Sequence, residues 1–160
     1  MAINIYKPHI VILPEDRANR QIANGFLVAI HSTQVKIENE IGGWLKVVDS
    51  FHTSYSNTMR LYANRYLIMI VDCDKTHDRI SNIRANLPDD IIDRIFILGC
   101  ISEPEKLKTA RLGSYESIGR RIADECRSKS DEIWQHDLLK NNFEEIVRLR
   151  KTMCYLCMPH

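Results

Sequence analysis

Apolar and polar positions along the chain fall into blocks that predict alternating strands and helices. His9-Ile10-Val11-Ile12-Leu13 is a short apolar run, as expected of a strand buried on both faces. Ala18, Ile22, Phe26 and Ile30 then recur every four residues, with Ala23 and Leu27 beside them, and form one apolar helix face. Gly42-Gly43 reads as a turn into Trp44-Leu45-Lys46-Val47-Val48, the expected second strand. Ser54 to Arg65 reads as a second helix leading to a third strand, Tyr66 to Val71. A helix from Thr76 to Asn86 is expected to close at Leu87-Pro88, because the residue before proline resists the α conformation. Arg94 to Gly99 is the fourth strand.

The remaining chain reads as helical. Ser102 is the expected N-cap of a helix with Pro104 in its first turn and Glu105 at the capping-box position. Gly113-Ser114 breaks that helix, Tyr115 to Ser128 makes the next, and Asp131 to Thr152 the last. Ile133, Leu138, Phe143, Ile146 and Leu149 are the expected buried side of that last helix. The pattern predicts an α/β fold: a mostly parallel sheet of about four strands, helices on both faces and a helical C-terminal part. One domain over residues 1–160 is expected, with its core at about 9–100 and a helical extension at about 102–153. A right-handed β-α-β-α-β path commonly brings the first and third strands of an α/β sheet side by side.

Chemistry concentrates at two strand ends. The run Tyr66 to Val71 ends in Asp72-Cys73-Asp74, and the first strand ends in Pro14-Glu15-Asp16. Open α/β sheets bind ligands just beyond the carboxyl ends of their strands, and Mg²⁺ or Mn²⁺ is held there by carboxylate oxygens on fixed backbone. Glu15, Asp72 and Asp74 meet that requirement if their strands are neighbours. The competing reading is that strand-end acids cap the following helix, above all Asp16. Arg17, Lys75 and Arg79 are near enough in sequence to face a phosphate, as are His77 and Asp78, and Glu103 and Glu105 follow the fourth strand.

Composition narrows the function classes. Lys plus Arg number 22 against 21 Asp plus Glu, so nucleic-acid binding must rest on a local patch rather than on net charge. Arg120-Arg121 and Arg148-Leu149-Arg150-Lys151 are the candidate patches, with solvated helix faces as the alternative reading. Hydrophobic content of 44% and no apolar run of membrane-spanning length argue against a membrane protein. Five cysteines without a secretory signal pattern are expected to be reduced thiols, and a cytoplasmic location follows as an expectation. Cys154, Cys157 and His160 have the spacing of three zinc ligands, but a structural zinc needs a fourth. Trp134-Gln135-His136-Asp137 reads as a packed tryptophan beside a hydrogen-bonded histidine.

The pairing of Glu15 after the first strand with Asp72-x-Asp74 after a later hydrophobic strand resembles the TOPRIM superfamily, the catalytic domain of primases, topoisomerases and OLD-type nucleases. The resemblance implies a TOPRIM/Rossmann-like fold over roughly His9 to Cys100. It also implies Mg²⁺ or Mn²⁺ held by Asp72 and Asp74, with Glu15 as metal ligand or general acid/base. The implied activity is phosphodiester hydrolysis of nucleic acid. Asp16 stands where the family usually has glycine. The segments Ile97 to Glu105, Gly113 to Gly119 and Trp134 to Asp137 are similar to small standalone TOPRIM-like proteins of bacterial operons that also encode an ATPase and are linked to phage defence. That likeness implies an ATPase partner. Two alternatives stand beside the nuclease reading. One is a non-catalytic regulatory or assembly subunit that binds a partner protein, with the oligomeric state left open. The other is an aspartate-nucleophile phosphatase, because Asp72-Cys73-Asp74-Lys75-Thr76 also fits Asp-x-Asp-x-Thr.

Overall fold

A computed structural model of the chain describes residues 2–76, 78–128 and 130–156. Four strands, β1 (His9–Pro14), β2 (Val35–Ile37), β3 (Arg65–Ile70) and β4 (Ile95–Leu98), form one sheet in the order β2-β1-β3-β4, every pair parallel. The helices are α1 (Arg17–Ile30), α2 (Trp44–Ser50), α3 (Ser56–Leu61), α4 (Arg79–Ala85), α5 (Glu105–Thr109), α6 (Tyr115–Ser128) and α7 (Phe143–Leu156). The fold is α/β with helices around a parallel sheet and a helical C-terminal part. No helix among the described residues is long and apolar enough to cross a membrane.

Strand side chains alternate between two cores, as the period-2 geometry of a strand requires. Ile10, Ile12, Ile68 and Phe96 face α1, α6 and α7, where Phe26, Ile118, Ile146 and Leu149 are buried. Val11, Leu13, Leu67, Met69, Ile95 and Ile97 face the opposite side, against Val47, Phe51, Met59 and Ile83. Burial on both faces explains why the strands read as continuous apolar runs.

On the first face α1 and α6 meet backbone to backbone. A Cβ on Gly25 would fall 2.1 Å from the Glu116 carbonyl oxygen, and one on Gly119 would fall 2.0 Å from that of Ile22. Only glycine allows this approach.

Several expectations are corrected. Trp44 to Val48 is not a strand but the start of α2, which continues through a π-helical turn, Phe51–Tyr55, into α3. Val47, Phe51, Tyr55 and Met59 lie four residues apart and turn one side toward the second core, so helical periodicity overrides the β-branched run. The second strand is instead the three-residue β2, too short to show a pattern. The helix expected over Ser54 to Arg65 ends at Leu61, and Arg65 already belongs to β3. α4 starts at Arg79 rather than Thr76, because Asp74 and Lys75 both adopt positive φ, 47° and 62°, and turn the chain first. Ser102 does not cap a helix: the N-cap of α5 is Pro104, without a side-chain bond. The last helix begins at Phe143 after a 3₁₀ turn, Lys140–Asn142, and Phe143 is 55% exposed rather than buried.

Candidate functional site

The first and third strands are neighbours. β1 and β3 pair from His9↔Arg65 to Pro14↔Ile70, so Glu15 and Asp72 leave the sheet side by side at its centre. The backbone N–H of Glu15 donates to the Ile70 carbonyl at 2.9 Å, which carries the ladder one residue further. The Asp72 N–H then donates to Glu15 Oε2 at 2.6 Å, tying the two acidic ends together.

Each neighbouring acid has its own position. Asp16 is the N-cap of α1 and accepts from the Asn19 N–H at 2.8 Å, as the capping reading expects. Asn19, in the first turn of α1 and 1% exposed, donates Nδ2–H to Asp72 Oδ1 at 3.0 Å. This residue was missed by motif reading. Its signal is a polar side chain at position i−4 from Ala23 on the buried side of α1. Beyond Asp72 the chain makes a turn in which the Thr76 N–H donates to the Cys73 carbonyl at 2.7 Å, with Asp74 and Lys75 as the central residues. Positive φ at both is the type I′ arrangement, which non-glycine residues adopt at a cost. The turn points Asp74 at Arg79, whose guanidinium donates to Asp74 Oδ2 at 3.1 Å and to the Asp72 carbonyl at 3.2 Å. The same guanidinium lies 4.3 Å above the ring centre of Trp44, at the start of α2.

Electrostatics mark this edge as crowded. Burial raises the pKa of Asp72 to about 7, opposed by the Asn19 hydrogen bond and reinforced by Asp16, Glu15 and Asp74. Glu15 is also raised, first by burial and then by Asp16 and Asp74, against the lowering effect of the Asp72 and Trp44 backbone amides. Like-charged carboxylates resist ionising together, and a cation between them relieves that cost. The donor set is therefore of the hard-oxygen type that Mg²⁺ or Mn²⁺ takes. The side-chain positions fit less fully. Among the described residues no three His, Cys, Asp or Glu side chains stand close enough together to hold a metal ion. Glu15 and Asp72 meet, while Asp74, 55% exposed, faces Arg79.

Other candidate residues have structural positions. Cys73 and Cys100 are buried, and burial pushes both thiols up to about 11, so neither is a ready nucleophile. Glu103 and Glu105 are exposed. Arg121 pairs with Glu125 and Glu132, Arg148 with Glu145 and Arg150 with Asp131, so those three charges are engaged within the fold rather than offered as a patch. Trp134 is buried and His136 Nδ1 accepts from the Leu138 N–H at 3.1 Å, as the packed reading expects. His77, Cys157 and His160 lie outside the described residues, as does the side chain of Cys154. Comparison with protein-family models, with curated proteins and with solved structures finds no match for the chain.

Proposed function

We propose that the protein is a divalent-metal-dependent phosphodiesterase acting on nucleic acid, with Glu15, Asp72 and Asp74 as its working carboxylates. The observation that supports this most is the junction of Glu15 and Asp72, 57 positions apart in sequence and joined by a 2.6 Å hydrogen bond at the carboxyl ends of adjacent central strands. Mg²⁺ or Mn²⁺ held by Asp72 and Asp74 would polarise the phosphate and acidify a bound water. The chain supplies the rest. Asn19 fixes the orientation of the Asp72 carboxylate, and the Asp72 N–H fixes that of Glu15. Glu15, with its proton affinity raised by burial and by its acidic neighbours, is suited to accept a proton from attacking water at a pH nearer neutral than an ordinary glutamate. The likeness to small standalone TOPRIM-like proteins of bacterial operons adds an ATPase partner and a setting in phage defence to this reading.

The test is cleavage of labelled single- and double-stranded DNA and RNA with Mg²⁺ or Mn²⁺, comparing wild type with Asp72→Ala/Asp74→Ala. Cutting that needs metal and is lost in the double variant is the expected result, and cutting that survives the substitution would overturn the assignment. One observation favours a second reading, a regulatory subunit that does no chemistry: Asp74 is already neutralised by Arg79. Absence of metal-dependent thermal stabilisation in the wild type would favour that reading.

A further inference from the structure

A cleft of about 530 Å³ lies on the second core's side of the sheet, bounded by Val11, Lys36 and Arg65 on the strands and by Ser54, Tyr55 and Thr58 on the helical side. That volume is ordinary for a small-molecule site. Arg65 opens β3 and Asp72 follows its end, so their α-carbons are roughly 20 Å apart and the cleft is separate from the acidic edge. The π-helical turn carries Ser54 and Tyr55 to this place, and such turns are frequent at functional sites.

Arg65 is held here without being neutralised. Lys36 and Glu38 pair at 2.6 Å and cancel each other, whereas Arg65 pairs with no carboxylate among the described residues, although burial already lowers its pKa. Fully buried His9 donates Nδ1–H to the Lys7 carbonyl at 2.8 Å, which fixes its tautomer and leaves Nε2 to accept from the Arg65 Nε–H at 3.0 Å. Burial keeps the His9 pKa below the ordinary value, with Arg65 adding to it against the Lys7 carbonyl, so the ring is neutral. The Tyr62 ring lies 4.7 Å from the guanidinium carbon and covers one face. Nη1 and Nη2 carry no hydrogen bond among the described residues, and neither is sealed off. A partly buried guanidinium that is oriented but unpaired is costly until an anion completes it.

We propose that this cleft binds a small organic molecule through a carboxylate or phosphate group, two of whose oxygens take the Nη1–H and Nη2–H donors of Arg65. The guanidinium fork matches either group. With Lys36 and Glu38 matched, the cleft keeps one net positive charge, on Arg65, which suits a single anionic group. Ile3, Val11 and Val35 give it an apolar side, so the ligand carries a hydrocarbon body and is not a bare ion. The Thr58 hydroxyl donates to the Tyr55 carbonyl at 2.9 Å and keeps its own oxygen as an acceptor for a ligand hydroxyl or amine. This site is independent of the metal-dependent reading and stands or falls without it.

The experiment is a heteronuclear NMR titration of the full chain with inorganic phosphate and, separately, with butyrate, each against sodium chloride at matched ionic strength. The proposal expects the Arg65 Nε–H signal and the backbone signals of Ser54 to Thr58 to shift together and saturate, with a Kd of about 1–10 mM for probes so small. Saturation by phosphate alone assigns a phosphate ester, by butyrate alone an organic acid, and by both the shared oxyanion seat. Arg65→Gln, which still has a donor for His9, is expected to weaken binding about tenfold or more. Arg65→Lys keeps the charge but loses the fork, and is expected to bind several-fold more weakly than wild type. The wild-type titration needs no substitution, so a poorly folded variant does not block the test. Shifts that stay linear with both probes or match those in sodium chloride overturn the proposal, as does unchanged affinity in Arg65→Gln.

Discussion

The carboxyl ends of β1 and β3 and the outer edge of β4 both gather charged side chains against backbone, and they treat that charge in opposite ways. At β4 the sheet's unpaired edge is closed by α7 and the turn before it. Glu145 Oε2 accepts from the Ile97 N–H at 3.0 Å, and Asn142 accepts from the Gly99 N–H and donates to the Gly99 carbonyl, both at 2.8 Å. Arg148 donates to the Ile95 carbonyl at 3.3 Å. Glu145 also pairs with Arg84 and Arg148, so its charge is matched twice and its acceptors are filled. Edge strands left open recruit other strands, and here polar side chains take the place of a fifth strand. At the acidic edge, by contrast, burial raises the proton affinity of Glu15 and of Asp72, Asp16 and Asp74 add to it at both, and among the described residues only Asp74 of the three has a cationic partner within 4 Å. Satisfied charge at one margin serves the fold, while crowded charge at the other costs stability.

The largest break in this contrast is expected from Glu145→Ala. It leaves the Ile97 N–H without its partner and two arginines without their shared carboxylate, in a residue 5% exposed. Loss of one member of a buried, hydrogen-bonded charge cluster costs about 3 kcal/mol. Urea unfolding is the measurement. The matching truncation at the other margin, Asp74→Ala, removes a half-exposed carboxylate from an arginine that keeps the Asp72 carbonyl and the Trp44 ring, and is expected to cost less than about 1 kcal/mol. Comparable losses from the two would erase the distinction.

The acidic edge is expected to respond in the other direction to Asp72→Asn. Burial raises the folded-state pKa of Asp72 to about 7 from an ordinary 3.8. Between those values the folded chain keeps a proton that the unfolded chain releases, so stability falls as the pH rises, and the loss is complete above about 7. Asparagine preserves an acceptor for Asn19 and removes the charge. Because Asp72 is only partly buried, the gain at pH 8 is expected to be about 1 kcal/mol, or about 3 °C in Tm. At pH 4 it should nearly vanish. Thermal melts of the two proteins at both pH values decide the matter: a gain equal at both would mean that the charge of Asp72 is not what strains the edge.

The difference between the two margins also separates what could be read in the sequence from what could not. Glu15, Asp72 and Asp74 were legible because strand ends are marked by long apolar runs, and the adjacency of β1 and β3 is one that a right-handed β-α-β-α-β path commonly gives. Asn19, Asn142 and Glu145 were not read, because each is a polar residue on a buried helix side or in the turn that leads into a helix, and its partner is a backbone group or carboxylate far along the chain. The role of Arg148 was hidden the same way, inside a basic run that resembles a nucleic-acid patch. β2 and α2 were exchanged because Trp44 to Val48 has strand-like composition, whereas its helical character shows only when Phe51, Tyr55 and Met59 are read with it.

The smallest expected effect tests whether strain, as well as charge, is held at the acidic edge. Four non-glycine residues among those described have positive φ, and two of them, Asp74 and Lys75, are consecutive in the turn that aims Asp74; α7 has none. Glycine adopts φ near 62° without the clash that a Cβ meets there, at the cost of greater freedom in the unfolded chain. The balance predicts that Lys75→Gly stabilises the protein by about 0.5–1 kcal/mol. Lys75 is exposed, and its backbone N–H donates to the Ile101 carbonyl at 2.6 Å, a bond that glycine retains, so little else changes. A rise of about 2 °C in Tm is the expected readout. A fall would mean that the turn's hydrogen bonds already compensate its backbone, leaving crowded charge as the sole burden on this margin.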